Sequence, residues 1–431
     1  MNNLEILQFE TPVDGDGNVA RDVSELRRQV VEIVSAVQVV DLHTHIFPPQ
    51  FDELSLSGID ELLNYHYLVA ELFRFSRVTP AEFWRLEKHA QADLVWRELF
   101  VENTPLSEAT RGVISVLSTL GLDTRATNLT TAREFFASQD RDSYLDKVLN
   151  ISRVSDVVMT NDPLDEAEIK VWNAGRSVDA RFHAALRLDR ILNGWADAVP
   201  LMAEQGYEVS ADPDESSITE TRRFLDDWIA KMKPLYLGVS LPDDFAFPEN
   251  NIRGKLIREV VLPTCKLHNI ALALMIGVRR RVNPALKLAG DGLGRADVSA
   301  ITRICAENSD IKFLVTMLSR ENQHELCVAA RKFSNLMPFG CWWFLNNTSI
   351  ITEITRERFE MLGTSFIPQH SDARILDQLI YKWAHSRRAI ADALFESYAA
   401  LWRDGRRVMR SEIERDVEKL FSGNFRDLVG M

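Results

Sequence analysis

Several absences narrow the field before any motif is read. The chain of 431 residues holds four cysteines, Cys265, Cys305, Cys327 and Cys341, with no Cys-x-x-Cys pair. That excludes a disulfide scaffold and fits a reduced, cytoplasmic setting. Lys and Arg total 50 against 63 Asp and Glu, a net charge of −13, and the pI is about 5.3. With no basic surplus to neutralise phosphates, neither a nucleic acid nor an anionic membrane is an expected partner. No apolar run approaches the length that spans a bilayer. The opening MNNLEILQFE is acidic, without the basic region of a secretory leader. Internal repeats, low-complexity tracts and Gly/Ser linkers are also missing. What remains is ordinary globular material, 46% hydrophobic and 26% charged, enough for a large core.

Eight short apolar, β-branched runs are present: 37–45, 154–162, 181–189, 236–242, 270–278, 312–319, 336–344 and 363–372. Several are almost continuously apolar, the pattern of strands buried on both faces of a parallel sheet. Amphipathic stretches at 299–310, 322–335 and 351–362 precede the last three runs. The alternation predicts an α/β fold, a (β/α)8 barrel, with a doubly wound sheet as the alternative. The gap from 46 to 153 is too long for a βα connection and holds helical patterns such as GIDELLNYHYLVAELFRFS. Residues 46–153 are therefore expected to be a helical insertion covering the active-site end, and 1–45 with 154–431 to be the catalytic barrel. A second helical insertion is expected at 190–234, and the tail after 373 is expected to be helical and to pack outside.

In such a barrel the chemistry gathers at the carboxyl ends of the strands. There the runs place His43 and His45; Asn161 and Asp162; Arg187 and Asp189; Asp243 and Asp244; Arg279 to Arg281; Ser319 and Arg320; Trp342 and Trp343; and His370, Asp372 and Arg374. Residues two apart on a strand point the same way, so His43 and His45 can reach one metal at about 2 Å. The first and last strands of a closed barrel are neighbours, which brings Asp372 to the same point. Two imidazoles and one carboxylate suit one divalent metal, zinc, with an open position. A pair of hydrogen-bonded core histidines is the plainer reading of a bare His-x-His. Three arginines ending three strands, Arg187, Arg320 and Arg374, predict an anion clamp at the mouth, against the alternative of rim salt bridges. Asp189 and Asp162 are expected to orient them, and Trp342 and Trp343 to wall the pocket. His370 is expected to lie deeper than Asp372. His183, His268, His324 and His385 are read as structural.

The motifs DLHTH and HSDAR resemble the amidohydrolase superfamily. Together with YHYLVAE, TNDPLD, ALRLD, IGVRR, LSRENQ and FGCWWFLNN, in order over essentially the whole chain, they resemble the uronate isomerase (glucuronate isomerase) family. That resemblance implies a distorted (β/α)8 TIM barrel and interconversion of D-glucuronate with D-fructuronate and of D-galacturonate with D-tagaturonate. It implies that His66 and Tyr67 act as a proton-handling dyad, that Asp372 binds metal and assists ring opening, and that Arg374 stabilises the enediolate. The expected partner is a hexuronate, in a homo-oligomer. The chain departs from the superfamily's binuclear pattern: YLGVSLP has no bridging lysine, Met275 stands where many uronate isomerases carry a histidine, and FLVTMLS has none either. At most one metal is then held, and the sequence leaves open whether activity needs it. The competing readings are a mononuclear metallohydrolase of a sugar lactone or amide, and a binding protein that has lost catalysis.

Overall fold

The structure is a computed structural model and describes residues 19–175 and 177–431. The leaderless reading of MNNLEILQFE concerns residues outside these. Eight strands are present: β1 (Val39–Thr44), β2 (Val154–Asn161), β3 (Phe182–Arg187), β4 (Tyr236–Pro242), β5 (Ala271–Arg279), β6 (Gly292–Leu293), β7 (Phe313–Met317) and β8 (Leu336–Pro338). Seven of them run in the order β1-β2-β3-β4-β5-β7-β8, all parallel, while β6 pairs antiparallel with the end of β5. This is a distorted (β/α)8 barrel.

The continuous apolar runs behave as two-faced strands. In β5, Leu272, Leu274 and Ile276 join a cluster with Phe224, Trp228 and Ile301 of the surrounding helices. The alternate residues Ala271, Ala273 and Met275 join Val40, Leu42, Val158, Ala185 and Leu314, which fill the barrel interior. Met275 thus points inward.

The seventh and eighth runs differ from expectation. The strand in 336–344 stops at Pro338, and Trp343–Leu345 forms a single tight helical turn. The run 363–372 contributes only a parallel bridge between Phe339 and Ile367. Pro368 has no N–H to give, and Asp372 takes a left-handed conformation, φ 50. The segment nonetheless closes the barrel. Ile367 N–H donates to Pro338 O at 3.0 Å and Gly340 N–H to Ile367 O at 2.9 Å. On its other side Asp372 N–H donates to His43 O at 3.1 Å and His45 N–H to Ala373 O at 2.7 Å.

Between β1 and β2 lies a helical region, including His66–Phe75, Lys88–Trp96 and Glu108–Thr119, with its own apolar cluster around Leu63, Leu72, Phe83, Val95 and Val113. Capping explains its segmentation. Thr79 and Glu82 form a reciprocal capping box, and Ser107 caps Glu108–Thr119. The tail is helical and packs outside the strands, and it is buried there rather than peripheral. Helix Gln378–Arg403 buries fifteen residues and packs on the barrel under β1. Among the described residues no helix is long and apolar enough to cross a membrane.

Candidate active site

The end of β1 and the closing segment meet at one point. His43 Nε2 lies 3.7 Å and His45 Nε2 3.5 Å from Asp372 Oδ1. The three side chains offer ligand atoms within 4.8 Å of one another. Their protonation follows from what holds them. The Tyr236 hydroxyl donates to Leu42 O at 2.9 Å, so its oxygen accepts from His43 Nδ1–H at 3.2 Å. Thr160 Oγ1 donates to Thr44 O at 2.9 Å and accepts from His45 Nδ1–H at 2.7 Å. Both Nε2 lone pairs are thereby turned toward the carboxylate. Burial pushes His43 down to about 3 and His45 to about 4, with Arg374 adding to the effect on His45, so both rings are neutral near pH 7. Burial alone would raise Asp372. The charge of Lys382 opposes this, and the carboxyl is held well below its usual range. Three acceptors facing one another with no proton between them fit a bound cation, so His43, His45 and Asp372 are the residues that would hold a metal.

The strained conformation of Asp372 is fixed from behind. Asp41 Oδ1 accepts from Ser371 N–H at 3.0 Å, and its Oδ2 from Trp383 Nε1–H at 2.8 Å. Gln378 Oε1 accepts from the N–H groups of Arg374, at 2.8 Å, and Ile375, at 3.2 Å. The tail helix therefore aims both Asp372 and Arg374.

A cavity of about 230 Å³ opens above the cluster, lined by His43, His45, His66, Arg187, Arg280, Trp342, Trp343, Asp372 and Arg374 among others. Arg187 ends β3 and is held by Asp189 through Nε, 2.9 Å, and Nη2, 3.1 Å. His66 and Tyr67 open helix His66–Phe75. Their rings are 4.7 Å apart, and His66 faces Trp343 edge-on at 5.9 Å. Tyr67 lines an adjoining cavity that shares His66 and Trp343. His66 Nε2, Tyr67 Oη, Tyr65 Oη and Trp343 Nε1 are buried without a hydrogen-bond partner, as groups awaiting a polar ligand would be. Burial pushes His66 well down and Tyr67 well up.

Arg320 is not brought to this site. It is exposed on the barrel's outer side and paired with Glu353 through Nε, 2.9 Å, and Nη2, 3.0 Å. Asp162 holds Arg190 at 2.9 Å. His370 is fully buried, 5.1 Å from the His43 ring, and outside the cavity lining. His183, His268 and His324 each pair with a carboxylate away from the cavity, while His385 lies 3.6 Å from Glu108, which lines the adjoining cavity. Residue-by-residue reading missed Tyr236 and Thr160, which set the imidazole tautomers; it named Arg279 to Arg281 at the end of β5 without singling out Arg280, which lines the cavity. It also missed Lys382, buried with its ammonium 6.0 Å from the Tyr65 ring and 5.9 Å from the Tyr67 ring. A signal existed for Thr160, at the end of a marked strand. Nothing distinguished Arg280 within VRRR, or Lys382 within a helix.

A parallel barrel with a His-His-Asp cluster at the carboxyl ends of its strands is the arrangement of a barrel enzyme with a place for one metal. No protein-family model matches the chain, and no curated protein does. Among solved structures, a uronate isomerase from Bacillus halodurans is 52% identical, with a TM-score of 0.93, over 95% of this chain and 97% of that one. A uronate isomerase from Thermotoga maritima shares the fold at 14% identity and TM-score 0.76, over 94% and 97% of the chains. A glucuronate isomerase from Caulobacter crescentus does so at 14% and 0.74, over 97% of each. The chain belongs to the uronate isomerase family and is an enzyme.

Proposed function

We propose that this enzyme interconverts D-glucuronate with D-fructuronate, and D-galacturonate with D-tagaturonate, by proton transfer between C2 and C1 through a cis-enediol. The observation that carries the reading is the joining, in one cavity, of a carboxylate–imidazole cluster, buried acid–base groups without partners, and guanidiniums. A hexuronate supplies a matching carboxylate at one end and a chain of hydroxyls at the other.

His43, His45 and Asp372 would hold one divalent metal, zinc on the chemistry of the donors, which when bound supplies Lewis acidity toward a sugar oxygen. Asp372, ionised and close to the C1 end, takes the proton of the anomeric hydroxyl as the ring opens. His66 and Tyr67 are the proton-handling pair, taking the C2 proton and returning one at C1; the neutral imidazole that burial enforces is the form able to accept. Arg374, whose backbone is fixed by Gln378, faces the negative charge of the enediolate. Arg187 holds the distal carboxylate, oriented by Asp189. Trp342 and Trp343 wall the sugar and shield the intermediate from water.

Residues 46–153 act in this reading as an insertion that covers the active-site end, supported by their separate apolar cluster and by His66 lining the cavity. Four buried, unpaired cysteines support a cytoplasmic setting. A homo-oligomer is the proposed assembly, read directly by light scattering. The function is tested by incubating metal-analysed enzyme with each uronate and resolving products chromatographically. Ketose formation is expected. Hydrolysis of a sugar lactone without any ketose would give the site to a metallohydrolase.

A further inference from the structure

The His66–Tyr67 pair stands between two cavities rather than in one. His66 lines the active-site cavity and a second of about 290 Å³, and the two spaces also share Leu288 and Trp343. Tyr67, the next residue of the same helix, lines only the second. Its hydroxyl and His66 Nε2 are both buried without a hydrogen-bond partner. The second cavity is not an apolar void, because Ser107, Glu108, Asn346 and Asn347 line it. At about 30 Å³ for a molecule of liquid water it has room for several, with polar atoms to hold them. It reaches the surface beside Leu288, which is 40% exposed.

Glu108 is the group there with acid–base chemistry to offer. It opens helix Glu108–Thr119, which Ser107 caps, so the helix start fixes its position. Asp291, the other carboxylate in the lining, is already occupied by Arg280 Nη1 at 2.6 Å and Arg281 N–H at 2.8 Å. Among the described residues the Glu108 carboxylate accepts no hydrogen bond. His385 Nδ1 lies 3.6 Å from its Oε1, beyond hydrogen-bond reach, and is itself buried without a partner. The Glu108 side chain is 17% exposed, and its charge reaches Tyr67, Tyr65 and Lys382.

We propose that the second cavity is a proton-exchange site of the isomerase, in which Glu108, through water, exchanges the proton taken by the His66–Tyr67 pair for one from solvent. The inference rests on the isomerase reading and deepens it. The C2–H bond breaks, its electron pair stays on the enediolate, and the proton goes to the pair. One proton then leaves the pair for water in the second cavity and passes to the Glu108 carboxylate, while another returns by the same path. No other bond changes. The new C1–H bond forms with either hydrogen, and Glu108 sets the competition between them. A carboxylate suits this role because it accepts and releases a proton without leaving its place. A second cavity lined by carbon alone would leave each hydrogen on the substrate.

The test is turnover of D-glucuronate in deuterium oxide by the wild-type enzyme, Glu108→Gln, Glu108→Asp and Ala289→Leu, the last narrowing the cavity from its loop side. NMR and mass spectrometry read deuterium at C1 of the ketose and at C2 of recovered uronate, each set against the ketose formed. Taken per turnover, that ratio does not move in a variant that is merely less active or less stable. The wild type is expected to place solvent deuterium in the ketose. Glu108→Gln is expected to lower the ratio by about 10-fold, less than the about 10²–10⁴-fold of a positioned acid–base group because water alone keeps a slower route open. Glu108→Asp restores part of the loss, and Ala289→Leu lowers the ratio in the same direction. A wild-type ketose that keeps all of the C2 hydrogen, or a Glu108→Gln ratio within about 2-fold of wild type, overturns the proposal. Deuteration of glucuronate at C2 that Glu108→Gln abolishes, with no ketose formed, would sink the isomerase reading and leave this one standing. Neither deuterium nor ketose would end both.

Discussion

Two arginines stand at strand ends of the same barrel and are each held by a carboxylate, yet they end in different surroundings. Arg187, the last residue of β3, has a side chain 26% exposed and lines the cavity. Its partner Asp189 lies two residues on and also accepts from Ser240 N–H of β4 at 3.4 Å. Arg320, after β7, is 56% exposed, and its partner Glu353 sits on the outer helix Thr348–Leu362. The pairing chemistry is the same; the solvent is not. A desolvated guanidinium whose partner comes from the barrel itself can present a fixed charge to a ligand, whereas an exposed pair is screened and worth little. Strand-end position alone does not make an arginine part of a site.

That contrast can be broken or sharpened by substitution. The largest effect is expected below both rims, where they share one floor. Asp372→Asn should lower kcat by about 10³-fold or more, because the ligand set and the proton acceptor are lost together; steady-state kinetics on both uronates with metal analysis would show it. Arg187→Met should raise KM for uronates by about 10- to 100-fold with a smaller change in kcat, the signature of lost ground-state binding.

A subtler effect comes from Glu168, in the helix Glu166–Asn173 that follows the end of β2. Its carboxyl accepts from Asn161 Nδ2 at 2.8 Å and Asp162 N–H at 3.0 Å, and burial pushes it up to about 8 from an ordinary 4.5. Between those values the folded form keeps a proton that the unfolded chain has released. Its contribution to stability is therefore full below about pH 4.5 and lost as pH rises through about 8. Urea midpoints measured from pH 5 to 9 should fall less steeply in Glu168→Gln than in the wild type. The smallest effect belongs to Arg320→Met, with kcat/KM within about 2-fold and little change in melting temperature. A large loss there would erase the distinction between the rims.

The sequence was most legible where local pattern and tertiary role coincide. The parallel barrel followed from apolar runs that need cover on both faces, and His43 and His45 from their spacing on a buried strand. It was least legible where backbone geometry departs from its elements. GTSFIPQHSD reads as a strand, but Pro368 and the left-handed Asp372 make it an irregular closure held by backbone bonds to His43 and Ala373. Arg320 has the strand-end credentials of Arg187, and its separation rests on a partner more than thirty residues away. Arg280 depends on a two-residue strand, too short to leave a periodic signal. Helix Gln378–Arg403 looks charged and peripheral, yet Gln378, Lys382 and Trp383 reach inward behind the site. Charge in a sequence does not reveal which side of a helix faces a polar cavity.

The central claim is that a sugar acid held in this cavity exchanges a hydrogen between adjacent carbons. A proton NMR time course of D-glucuronate with metal-analysed enzyme tests it most directly. Disappearance of the C2–H resonance in step with growth of ketose signals is the predicted result; an unchanged uronate spectrum, with a sugar lactone opening under the same conditions, would contradict it.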